Sequence, residues 1–140
     1  MTILFIRRFL FAFFANFLVL GAVAAMFGDL VQGQYFPELA SAEPNFLLLT
    51  LGSFAGSLIL ALLFPRLGVS SESDWFSSSV KLALPIGLLV YFATHLVQTG
   101  YIQVSTTGWL LEGLYDSLAP MASIVAMAYN ESRLTKKGRA

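Results

Sequence analysis

The sequence predicts an all-α fold, an integral membrane bundle of four transmembrane helices with both termini cytoplasmic, and three observations carry that prediction. The 140 residues are 57% hydrophobic and 11% charged, whereas an ordinary globular chain is about a quarter charged. Four long stretches are nearly free of charge, each close to the roughly 20 apolar residues that cross a bilayer as a helix. With those stretches as spans, all eight basic residues fall on one side. Arg7 and Arg8 precede the first, Arg66 and Lys81 flank the connection between the second and third, and Arg133, Lys136, Lys137 and Arg139 follow the fourth. The other two connections contain no Lys or Arg. Cytoplasmic segments carry such an excess of positive charge, and an even number of spans puts both ends on that side.

The first span covers about 9–28, with Asn16 its only strongly polar member, and ends at Gly28 and Asp29. A competing reading makes Met1 to Arg8 the basic start of a signal peptide cleaved near Ala22 to Ala25. The apolar stretch continues to Phe27, beyond the usual length of a signal core, which favours retention. The second span, 46–64, begins after Pro44 and Asn45 and stops at Pro65 and Arg66, proline at both borders suiting helix limits. The third, 80–98, carries Pro85 in its first turns and His95 near its end. Before it, Ser71 and Asp74 have capping-box spacing, which predicts a short interfacial helix leading in. The fourth, 108–129, carries Glu112 and Asp116 in its outer half and exits at Asn130 and Glu131. Trp75 and Trp109 sit where aromatic belts anchor helices at opposite surfaces. Residues 131–140 read as a basic, solvated cytoplasmic tail held near anionic headgroups. All this forms one domain, 1–140.

In lipid, helices associate through close backbone approach and hydrogen bonds, because the hydrophobic effect gives little preference for protein over acyl chains. The second span offers Gly52 and Gly56, with Ser53 and Ser57 one position on, as a strip of small residues for helix packing. Gly21, Ala25 and Gly28 are the facing candidates on the first span. In the fourth span Glu112, Asp116, Ala119, Ser123 and Ala126 recur every three or four residues and share an inward face. Pro120 cannot donate to the Asp116 carbonyl, so a kink is expected beside that acid.

The ionisable groups inside the membrane give the strongest functional hint. By helical rise, Asp116 lies roughly 12 Å in from Gly108, near the midplane, and Glu112 about half as deep. His95, roughly 21 Å along from Lys81, falls in the same external half. Tyr91, Thr94, His95 and Gln98 share a broad face, and Asp29 stands at the external end of the first span. Asp116, His95, Glu112, Tyr91 and Gln98 therefore form a candidate polar pocket or ion site. Its two readings are a proton or cation site and a buried hydrogen-bond network that fixes helix register.

The absence of cysteine excludes disulfides, thiolate zinc and iron–sulfur ligation. His95 is the only histidine, which lacks the facing partner usual for haem, so no metal and no cofactor are expected. No nucleophile elbow, phosphate-binding glycine loop or zinc helix is present. No catalytic residues and no enzymatic activity are expected, and a formal net charge of zero argues against nucleic acid. The expected partners are the lipid bilayer and either a second copy or another membrane protein. The leading expectation is a non-enzymatic scaffold, accessory subunit or homo-oligomer. The alternative is a small proton- or cation-coupled transporter or channel using Asp116 with His95. In layout alone the chain is similar to short four-helix bacterial membrane proteins with an acid in the last helix, and its compact loops and charge asymmetry point to the bacterial cytoplasmic membrane.

Overall fold

The computed structural model describes residues 2–35, 46–69, 74–98, 100 and 105–138, with side chains described for all of these except 2, 23–33, 46, 48, 49, 137 and 138. The fold is all-helical: among the described residues there is no strand. Helix α1 is Thr2–Tyr35 and α2 is Phe46–Leu63, closed by a 3-10 turn Phe64–Arg66. Helix α3, Trp75–Gln98, is α-helical to Gly87, a wide π turn over Leu88–Phe92, and α-helical again over Ala93–Gln98. Helix α4 is Thr106–Gly138. Among the described residues two helical segments, Ile3–Ala22 within α1 and Trp75–Gln98, are long and apolar enough to cross a membrane; α2 contributes a shorter apolar stretch, Thr50–Arg66.

Local chemistry sets several boundaries. At the start of α4 the Ser105 hydroxyl accepts from the Gly108 N–H at 3.3 Å, which caps a free donor of the first turn and starts the helix before the expected 108. After Pro65, Leu67 donates to the Phe64 carbonyl at 3.1 Å and Gly68 takes φ +67°, a left-handed conformation that suits glycine and turns the chain away from α2. No separate interfacial helix is described before α3: the helix begins at Trp75, Asp74 makes no side-chain cap, and Ser71 lies outside the described residues. At the other end, α4 does not stop at 129 but continues helically to Gly138. Pro120 is accommodated without interrupting the α-helical assignment.

Helices α1 and α4 form the central pair, and α2 and α3 pack chiefly against them. Contacts fix the directions. Arg8 pairs with Glu131, Arg7 donates to the Asn130 side-chain oxygen at 3.0 Å, and the Ser123 hydroxyl donates to the Ala12 carbonyl at 2.9 Å, so α1 and α4 run antiparallel. The Arg8 guanidinium lies 5.8 Å over the Phe64 ring while Phe9 meets Phe54 at 5.0 Å, which sets α2 antiparallel to α1. The Trp75 ring lies 5.6 Å from Tyr129, and His95 meets the α4 segment near Trp109, which sets α3 antiparallel to α4. The helices thus run up, down, up, down. A consequence is that Arg7, Arg8, Arg66 and Arg133 all lie toward one end of the bundle, as the distribution of basic residues along the chain anticipates.

The interior is small and polar, and the exterior is large and apolar. Buried positions include Ala12, Asn16, Ser53, Ser57, Ala61, Ser79, Ala83, Ser117, Ala119, Ser123 and Ala128; among larger apolar side chains Phe64, Ile124 and Met127 are also enclosed. The outer surface carries Leu18, Leu47, Ile59, Leu62, Leu89 and Val97, each more than half exposed. Several inner hydroxyls return to their own helix: Ser79 donates to Phe76, Ser117 to Leu114 and Ser132 to Tyr129. Such back-bonding satisfies a polar group without a partner on another helix.

The small strip of α2 is divided by the packing. Ser53 and Ser57 are buried, and a Cβ at Gly56 would stand 3.9 Å from the Asn16 side-chain nitrogen of α1. Gly52 turns outward, with nothing within 4 Å of its would-be Cβ, and so does Gly21 on α1. The expected Gly21–Gly52 facing strip is therefore not an internal contact; the side chain of Ala25 and the surroundings of Gly28 lie outside the described residues. Two other glycines take the tight role. A Cβ at Gly87 would come within 2.7 Å of the Ser117 carbonyl oxygen and of Met121 Cγ and Cε, and one at Gly113 within 2.8 Å of His95 Cβ and Cγ. Both lie where α3 and α4 approach most closely.

Candidate functional site

The close approach at Gly87 and Gly113 positions the polar cluster. Along α3, Ser79, Ala83 and Gly87 are buried at intervals of four and face α4. An uninterrupted α-helix would carry that face on to Thr94, seven residues beyond Gly87. The π turn inserts an extra residue into one turn, with Ala93 donating to the Leu88 carbonyl five residues back. The inward position therefore passes from Thr94 to His95. Thr94 is exposed and its hydroxyl returns to the Val90 carbonyl, while the His95 side chain is only 12% exposed.

Three neighbours orient the imidazole. Its Nδ1 lies 2.9 Å from the Tyr91 carbonyl oxygen. That oxygen only accepts, so Nδ1 carries the hydrogen and donates. The ring tilts against Trp109 with centroids 4.8 Å apart, and the absent side chain of Gly113 leaves the space it fills. Trp109 thus packs on His95 in addition to standing near the helix end. Nε2 then faces Asp116 Oδ2 at 3.7 Å, beyond hydrogen-bond length but within ion-pair range. Because Nδ1–H is committed, two forms of this contact are attractive: imidazolium opposite carboxylate, or bare Nε2 opposite a protonated carboxyl.

Asp116 is also close enough to Glu112 and Tyr91 to interact electrostatically with both. Of the candidate residues, His95 stands directly opposite Asp116, and Glu112 and Tyr91 lie within electrostatic reach of it. Gln98 is half-buried at the end of α3, and among the described residues it makes no hydrogen bond to Asp116 or His95. Thr94 points away, and the Asp29 side chain lies outside the described residues. Ser123, which shares the inward face of α4 with Asp116, divides its one hydroxyl hydrogen between the Ala12 and Ala119 carbonyls, at 2.9 and 3.1 Å. Asp116 is the most open member of the contact, its side chain 32% exposed. Among the described residues no three His, Cys, Asp or Glu side chains are arranged to hold a metal ion.

Gly87 and Gly113 are the structural contributors that reasoning from the chain passed over. Their signal was present, since each is a glycine inside an apolar helix, but nothing in spacing separates an inward glycine from an outward one such as Gly52. Comparison with family models, curated proteins and solved structures finds no match to this chain.

Proposed function

We propose that this chain is a non-enzymatic membrane protein whose four helices span the bilayer, with both termini cytoplasmic, and that it acts as a scaffold or accessory subunit through lateral association. The observation that carries the reading is the inverted polarity of the bundle: alanine, serine and asparagine inside, leucine, isoleucine and phenylalanine outside. Water would favour the opposite arrangement, whereas lipid accepts the apolar exterior and favours small interior residues that bring backbones together. Only 11% and 17% of the two helical windows long and apolar enough to cross a membrane is buried, unlike the core helix of a soluble protein. The gathering of arginines at one end supports the cytoplasmic assignment of that end.

Association is assigned to the outer face of α2, where Gly52 and Ala55 are exposed and form a flat patch beside Leu51 and Ile59. The division of the glycines makes a clean test. Gly52→Leu adds a side chain where nothing inside the bundle is touched, so monomer stability should be unchanged while the oligomer seen by light scattering in mild detergent shifts to smaller mass. An unchanged mass distribution removes this face from the contact.

The contact between His95 and Asp116 favours a second reading, a proton- or cation-conducting site. Here proteoliposomes with an internal pH dye are the assay. The conducting reading expects Asp116→Asn to abolish pH-driven flux, since an amide cannot take up and release a proton. Flux equal to the unmutated protein, or no flux above empty liposomes from either, leaves the scaffold reading in place.

A further inference from the structure

Away from the polar cluster, the opposite end of the central helix pair holds a cleft of about 230 Å³ between the start of α1 and the end of α4. Its walls are Arg7 and Phe11 from α1, and Tyr129, Asn130, Arg133 and Leu134 from α4. The wall chemistry is sorted by depth. Phe11 is one helical turn from Arg7 toward the bundle centre and Tyr129 one turn from Arg133, so two rings lie below two guanidinium groups.

The cations are held in place yet retain their charge. Arg7 donates through one Nη to the neutral Asn130 amide at 3.0 Å, and the Arg133 guanidinium stands 5.6 Å over the Tyr129 ring. Among the described residues neither pairs with a carboxylate; the nearby carboxylate, Glu131, is engaged by Arg8. Asn130 is 1% exposed, and its amide nitrogen has no hydrogen-bond partner. A cleft with two positive charges at its mouth and exposed aromatic walls below suits an anion that carries an apolar body.

We infer that this cleft binds the phosphate of an anionic phospholipid, with Arg7 and Arg133 on the phosphate oxygens and Phe11 and Tyr129 against the glycerol and upper acyl chain. The assignment rests on the membrane-spanning reading, which places the basic end of the bundle at the headgroup layer. It differs from general attraction of a basic tail to a charged surface, because it requires two particular side chains and not net charge.

The test uses the full chain purified in neutral detergent, titrated with short-chain phosphatidylglycerol, short-chain phosphatidylcholine or inorganic phosphate, with retained lipid read by native mass spectrometry. Phosphatidylglycerol should bind, and Arg7→Gln with Arg133→Gln should weaken it roughly tenfold or more. Lys136→Gln, which removes one charge from the same helix outside the cleft, should leave binding unchanged. Arg7→Lys with Arg133→Lys should recover part of the affinity. Should the double glutamine variant fail to fold, Arg133→Gln alone carries the test, since that side chain is exposed. Equal binding by the unmutated and glutamine variants overturns the site, as does an equal loss in Lys136→Gln. Phosphatidylcholine binding as tightly as phosphatidylglycerol overturns the anionic assignment, and displacement of the lipid by inorganic phosphate at matching concentration overturns the lipid assignment in favour of free phosphate. The spanning reading is judged separately, by whether Lys136→Cys reacts with an impermeant thiol reagent only from the cytoplasmic side.

Discussion

Replacing Gly87 with leucine is expected to cause the largest loss of stability of any substitution in the apolar part of the bundle. The first added atom would lie 2.7 Å from the Ser117 carbonyl oxygen as well as from Met121. Methionine can swing aside, but a backbone oxygen within α4 moves only if the helices separate. Overpacking of this kind costs about 1–3 kcal/mol, and helices forced apart also lose contacts along their length. Even Gly87→Ala should be destabilising, although alanine is better than glycine in a helix by about 1 kcal/mol. Thermal unfolding of the detergent-purified chain measures both, with Gly21→Ala as the control in which nothing lies near the new Cβ. A midpoint for Gly87→Leu equal to that of the unmutated chain would contradict the close approach of α3 and α4.

The second large effect is expected at the other end of α4. Arg8 and Glu131 pair with only 15% and 19% of their side chains exposed. Arg8→Leu leaves the Glu131 carboxylate enclosed without that partner and also removes the guanidinium from the Phe64 ring. Hydrogen bonds to charged groups are worth about 1.5–3 kcal/mol each, so the single substitution should lower the unfolding midpoint by several degrees. Much of that loss should return in Arg8→Leu with Glu131→Leu, because removing both partners avoids a stranded buried charge. The coupling between the two substitutions is the decisive quantity. If the double variant equals the sum of the singles, the pair does not join α1 to α4.

The parts of the fold that follow from depth and charge were legible in the chain. Uncharged stretches bounded by proline or by charge locate the helices, and the basic residues locate one common end. Counting helical rise brought Asp116 and His95 to similar depth, and they meet. Angular detail was less accessible. A helical wheel places Thr94 and His95 on one broad face, and only the extra residue of the π turn separates them. Likewise a wheel does not say which glycines face inward: Gly52 and Gly56 have the familiar spacing, yet the close contacts are at Gly87 and Gly113. The end of α4 was obscured by composition, because Glu131 to Lys136 is polar enough to resemble a solvated tail. Its first turn is held by Arg7 and Arg8 from a segment more than a hundred residues away, and a link of that range has no local signature.

That long-range link bears on how the molecule is made. Helix α1 leaves the ribosome well before its principal partner, with the Ala12 carbonyl and the Ser123 hydroxyl that binds it 111 positions apart. The centre of the bundle therefore closes only once α4 has been made. Until then α2, emerging next, is the neighbour able to shield Asn16, and nascent chains halted before α4 should expose the polar flank of α1 to quality-control proteases.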